Sequence, residues 1–198
     1  RKQLQLEALV DSEDELDPVK EEAQRELLAI YDYQKRKEYA EQSKTAYLHS
    51  SAGKVYSLKK SMVETANEYL GTPYRYGSMD AKKGFDCSGF VCTVAKKNNL
   101  TLPRSSSLMA KDAPHIAWKK AVSGDLVFFG DHGTIHLVGI IEKNSGKTLQ
   151  VIHSTSQRGV ISENVLESSY WKKRVLFAVD ITSFQKNNSA ANKTTGGS

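Results

Sequence analysis

Apolar residues recur at helical spacing in the first half of the chain and at alternating or continuous spacing in the second. Behind Asp17-Pro18, an N-cap with proline at the first helical position, come Glu21 and Glu22, and then Val19, Ala23, Leu27, Ile30 and Tyr31 repeat at three- and four-residue intervals. The pattern fades through Lys35-Arg36-Lys37 towards Tyr47 and predicts one long amphipathic helix, with His49-Ser50-Ser51-Ala52-Gly53 as a linker. Residues 1–16 predict no particular structure. A second helix is expected from about Leu58 to Leu70, with Gly71 as its stop, and a third where Phe90, Val91, Val94 and Ala95 lead to a basic end at Asn98. Leu102-Pro103-Arg104 and three serines then introduce a short helix through Met109 to Lys111.

Beyond that the period changes. Asp125 to Phe129, Ile135 to Ile141 and Thr148 to Thr155 read as strands, separated by turns at Asp131-His132-Gly133 and Asn144-Ser145-Gly146. Val160-Ile161 and Arg174 to Ile181 add shorter strands. Helices first and a mostly antiparallel sheet second define an α+β domain. From Phe184 onward polar and small residues dominate, and a disordered tail is expected. The divisions are a helical segment and linker at 1–56, one α+β domain at 57–182 and a tail at 183–198.

Composition narrows the function classes. With 198 residues, 39% hydrophobic and 26% charged, the chain is long enough for one well-buried core and contains no apolar run able to span a bilayer. It begins at Arg1, so a targeting segment removed upstream is compatible with it. The net charge of +5 is unevenly placed: residues 1–60 hold 11 basic against 12 acidic side chains, the remainder 17 against 11. That bias suits a polyanionic surface: nucleic acid is one candidate, though no RNP-like, zinc-finger or basic-helix pattern supports it, and an anionic cell wall is another.

The chemistry gathers at Gly84-Phe85-Asp86-Cys87-Ser88-Gly89-Phe90-Val91. Cys87 falls in the first turn of the third predicted helix, where unpaired N–H groups and the helix dipole favour a thiolate. Cys92 is five residues on, poorly spaced for a bridge, so two free thiols are expected, the second in the core. Of the five histidines, His49, His115 and His132 lie in linker, loop or turn. His136 begins one strand and His153 lies near the end of the next, so pairing through the Asn144-Ser145-Gly146 hairpin would make their rings cross-strand neighbours. An imidazole base held by an orienting group is what a cysteine nucleophile needs. No zinc-ligand spacing, GxSxG or phosphate-binding glycine loop occurs.

The segment from about Ser61 to Ile181 resembles the NlpC/p60 family of cell-wall cysteine peptidases. The resemblance is carried by Leu70-Gly71-Thr72-Pro73-Tyr74-Arg75-Tyr76-Gly77, the run from Phe85 to Val91, Leu102-Pro103-Arg104, Gly124 to Phe129, His136-Leu137-Val138-Gly139-Ile140 and Ile152-His153-Ser154, in the family's order. It implies a papain-like α+β fold with Cys87 as nucleophile, His136 as general base and acid, and His153 as the orienting third residue. It also implies substrate contacts from Tyr74, Asp86, Ser88 and Arg104, no cofactor or metal, and extracytoplasmic action on peptidoglycan stem peptides, commonly at the bond from D-glutamate to the diamino acid. No nucleic-acid partner is implied, and residues 1–56 are left as a possible arm for a protein partner or anchor.

The chain departs from the family pattern at Leu137, which stands between His136 and Val138-Gly139 where Val usually follows histidine directly. One inserted residue reverses the facing of a strand unless a bulge absorbs it, so a bulge near Leu137 is expected to return His136 to the cleft. Without one, His132 becomes the candidate base. Two other functions stay open: an acyltransferase or amidase using the same residues, and a non-catalytic wall-binding module disarmed at Leu137.

Overall fold

A computed structural model describes residues 18–185, so the expectations for residues 1–16 and for 186–198 lie outside it. The described chain divides into two compact units, up to Lys54 and from Val55 onward. In the first, helix α1 (Pro18–His49) is a single element of 32 residues, close to the expected span. The expected five-residue linker is reduced to Ser50. Its hydroxyl accepts from the Gly53 N–H at 3.0 Å and so starts helix α2 (Ser51–Asn67), seven residues earlier than the apolar pattern suggested.

The second unit carries helices α3 (Cys87–Lys97), α4 (Ser106–Lys111) and α5 (Ser169–Lys172). A two-stranded ribbon pairs β1 (Met79–Asp80) with β2 (Gly84–Phe85). The main sheet contains β3 (His115–Ile116), β4 (Leu126–Asp131), β5 (Thr134–Asn144), β6 (Leu149–Thr155), β7 (Gly159–Asn164) and β8 (Val175–Val179). Its order is β3-β8-β4-β5-β6-β7, and neighbouring strands all run antiparallel. Period-2 alternation sorts β4 between two cores. Leu126 and Phe128 face Met62, Phe90, Val94 and Met109 of the helices, while Val127 and Phe129 join Ile141, Leu149 and Val151 on the opposite face. Phe184, expected in the tail, is buried in the helix-side core, so the ordered domain continues past residue 182.

Two bulges set the geometry of β5. Phe129 pairs with Leu137 but Gly130 pairs with Ile135, which leaves His136 as an extra residue. The packing shows the same slip: Ile135 lies against the helix-side core and Leu137, two positions on, belongs to the opposite one. A second extra residue, Glu142, falls where Ile141 pairs Val151 and Lys143 pairs Gln150.

Candidate active site

Cys87 is the first residue of α3 because Asp86 caps that helix. The Asp86 Oδ1 accepts from the Gly89 N–H at 2.6 Å, and Arg104 closes a two-pronged ion pair on the same carboxylate at 2.7 and 3.1 Å. Ser88 donates to Asp86 and receives from Arg104 at 2.9 Å. Gly89 is required in this turn: a Cβ there would run into the backbone carbonyl of Ser78 and the Asp86 side chain. Burial works against ionisation of Asp86, but the hydrogen bonds from Arg104 and Gly89 outweigh it and hold the carboxyl below its usual range.

The thiol is not the acidic group its helix position suggested. Burial pushes the Cys87 thiol up, the Asp86 charge adds to this, and N–H groups of Val138 and Ser88 oppose it without winning. The physical reason is that a half-buried sulfur beside a fixed carboxylate loses more to desolvation and repulsion than helix-terminal N–H groups return. Cys92 is buried and free, with its thiol pushed up to about 11, chiefly by desolvation. Its Sγ donates to the Pro103 carbonyl at 3.3 Å.

Cys87 and His136 open onto one cavity of about 460 Å³, together with Tyr74, Leu137, Arg158, Trp171 and Arg174. The bulge therefore brings His136 to the cleft, as its register required. The ring is nevertheless engaged elsewhere. Its Nε2 lies 2.8 Å from Asp131 Oδ1, and the group touching the sulfur is the His136 backbone carbonyl, which accepts from Sγ at 3.9 Å. Cys87 packs against the sheet-side core to which Leu137 belongs, and Leu137 lines the same cavity.

His153 does not meet His136. The β5–β6 ladder pairs Ile140 with Ile152, and Gly139 is the residue whose Cβ position would press on the His153 side chain. His153 is fully buried between Phe129 and Trp171, its Nε2 bonded to Glu163 at 2.8 Å, and its Nδ1 has no partner among the described residues. Glu163 also accepts from Arg158 at 2.8 Å and from Trp171 Nε1 at 3.0 Å. Of the expected substrate contacts, Tyr74 lines the cavity, whereas Asp86, Ser88 and Arg104 are bonded to one another and do not. Sequence reasoning missed Asp131, which the bulge and the tight turn place opposite the ring.

That turn explains the placement. Asp131 and Thr134 are paired across His132 and Gly133, both at positive φ, a two-residue hairpin connection that glycine makes inexpensive. It holds Asp131 at the same sheet end as the bulged histidine.

A cysteine at the head of a helix, packed on an antiparallel sheet that presents an imidazole to the same cleft, defines a papain-like α+β domain. The sequence profile of the NlpC/P60 family matches residues 71–180, and the chain belongs to that family. It is 41% identical over 108 residues to the probable endopeptidase NlpC of Escherichia coli K12, covering 52% of this chain and 65% of that protein. Over 113 residues it is 35% identical to the gamma-DL-glutamyl hydrolase of Bacillus subtilis 168, covering 56% of this chain and 27% of that protein. The NlpC/p60 domain of the peptidoglycan hydrolase SagA superposes with a TM-score of 0.51 at 29% identity, covering 61% of this chain and 97% of that domain. The chain thus spans less than two thirds of the length of either curated relative.

Proposed function

We propose that the second unit is a cysteine hydrolase of peptidoglycan stem peptides, acting outside the cytoplasmic membrane. The observation that carries this is the joint opening of Cys87 and His136 onto one cleft, at the head of a capped helix. The carbonyl oxygen of His136 is 3.9 Å from Sγ, and a carbonyl oxygen stands about 2.4 Å from its own Cα, so that Cα is within about 6 Å of the sulfur. That separation is within the span of a histidine side chain. The proton of Sγ passes to His136 as the sulfur attacks the amide carbonyl. The amine leaves with that proton, and water deprotonated by His136 releases the acid from the thioester. Tyr74 contacts the stem in the cleft, and Asp86, Ser88 and Arg104 support the helix end that presents the nucleophile. Similarity to the gamma-DL-glutamyl hydrolase of B. subtilis supports a gamma-glutamyl bond as the one cut, D-glutamate to the diamino acid in a stem peptide. Digestion of defined stem peptides with mass-spectrometric product identification tests this: cleavage by the native protein and none by Cys87→Ala is the expected result, and equal turnover by both refutes it.

A second reading is favoured by Leu137 lining the same cleft as Cys87 while the buried His153 Nδ1 has no partner among the described residues. In that reading the domain binds stem peptides without cutting them. Leu137→His then creates a hydrolase from an inactive protein, whereas a native protein that already cleaves rejects this reading.

A further inference from the structure

Resting on the hydrolase reading, we propose that Asp131, and not His153, is the residue that positions the His136 imidazole for proton transfer with Cys87. Three observations on the fold converge on it. The bulge makes His136 the residue outside the ladder, so its ring is not bound to point across to β6. The two-residue turn at His132-Gly133 then puts Asp131 in reach of Nε2 at 2.8 Å. His153, meanwhile, is bonded to Glu163 and fully buried, and its other ring nitrogen has no partner among the described residues.

The chemistry follows from which nitrogen is held. A carboxylate accepting from Nε2–H fixes the neutral ring in the tautomer whose Nδ1 carries the lone pair. Nδ1 can then take the Sγ proton, and Asp131 stabilises the imidazolium formed while remaining ionised itself. Asp131 is in turn steadied by Arg174, whose Nε lies 3.4 Å from Oδ2 and whose guanidinium stacks on Tyr170. The charged and titratable groups around the ring are therefore Asp131 and His132 from β4 and its turn, Arg174 ahead of β8, Cys87 from α3, and Tyr74, Arg158 and Tyr170 across the cleft. The His136 side chain is 52% exposed and that of Asp131 41%, so the pair sits at the cleft surface and outside both cores.

The test compares Asp131→Ala, Asp131→Asn, Arg174→Gln and Glu163→Gln on a defined stem peptide, with Cys87→Ala as the blank. Asp131→Ala is expected to lower kcat by about ten- to a hundredfold with KM little changed, as for loss of a group acting only on proton transfer. Asp131→Asn, which still accepts from Nε2–H, is expected to recover most of that loss. Glu163→Gln, which alters the acceptor of His153, is expected to stay within about threefold of native kcat. Nitrogen-15 NMR of labelled histidine supplies a readout independent of turnover: Asp131→Ala shifts the tautomer balance of His136 and leaves His153 alone. Unchanged kcat and tautomer in Asp131→Ala, or a loss in Glu163→Gln as large as that in Asp131→Ala, overturns the assignment. An equal loss in Arg174→Gln without a tautomer change does the same, since it would trace the effect to the cation. A native protein no more active than Cys87→Ala overturns the hydrolase reading itself, and the tautomer measurement then still decides whether Asp131 holds the ring.

Discussion

Glu163→Gln should make the stability of the domain depend on pH in a way whose size can be worked out. The Glu163 carboxyl is held at about 2 against an ordinary 4.5, first by its hydrogen bond to His153, with burial opposing and Arg158 adding to the effect. At about 1.4 kcal/mol per pH unit, that displacement is on the order of 3 kcal/mol of folding free energy. A fifth of the Glu163 side chain is exposed, and solvent screening reduces the figure to roughly 2 kcal/mol. The folded value is the depressed one, so the contribution is complete above 4.5 and is lost as pH falls through about 2. Urea unfolding of the native protein and the variant at neutral pH, near 4.5 and near 2 measures it. The variant is expected to be weaker by roughly 2 kcal/mol at neutral pH, with the gap shrinking below 4.5 and closing near 2. A gap that is independent of pH, or none at neutral pH, refutes the assignment of the stabilisation to this carboxylate.

Three further outcomes follow from the same structure. Lys59 bridges Asp125 at 2.7 Å and Asp180 at 3.1 Å, and Asp125 is almost wholly buried, so Lys59→Met should cost about 3 kcal/mol in urea unfolding by leaving an uncompensated charge. A loss under a few tenths of a kcal/mol would show that the pair is worth little. Gly89→Ala, forced against the Ser78 carbonyl, should cost about 2 kcal/mol or more and slow any reaction at Cys87, whereas a native-like melting curve would show that the turn can widen. Iodoacetamide labelling of the free protein should rise with a midpoint above the ordinary 9.0 for Cys87 and later still for Cys92. A Cys87 midpoint several units lower would mean that desolvation does not govern the thiol at rest.

Much of the architecture was legible because it depends on short-range patterns. The 3.6-residue recurrence around Phe90 and Val94 and the alternation through Leu126 to Phe129 each report a buried face, and both faces are occupied as expected. The helix over Cys87 was legible from the apolar spacing of Phe90, Val91, Val94 and Ala95, whereas its Asp86 cap was found only in the structure. The start of α2 was missed because a single serine cap carries the chain into helix through residues without apolar rhythm. The bulge, and the return of His136 to the cleft, were legible only through the resemblance to the family, because Leu137 stands where that pattern has no residue. Which carboxylate would meet the ring was not, since that depends on the turn to the partner strand.

The sequence by itself determined the helix-capped cysteine, the antiparallel sheet and the supply of imidazoles, because each is set by neighbours a few residues apart. Only the tertiary structure decided the partners. It put Asp131 beside His136, buried His153 against Glu163, and spent Asp86 on Arg104. Those pairings join residues of different strands, of two sides of a turn, or of a helix cap and a distant loop, and the one-residue slip at His136 sets the first of them. The thiol's resting state was decided the same way, by how much water the folded chain leaves around the sulfur and how near it holds a carboxylate.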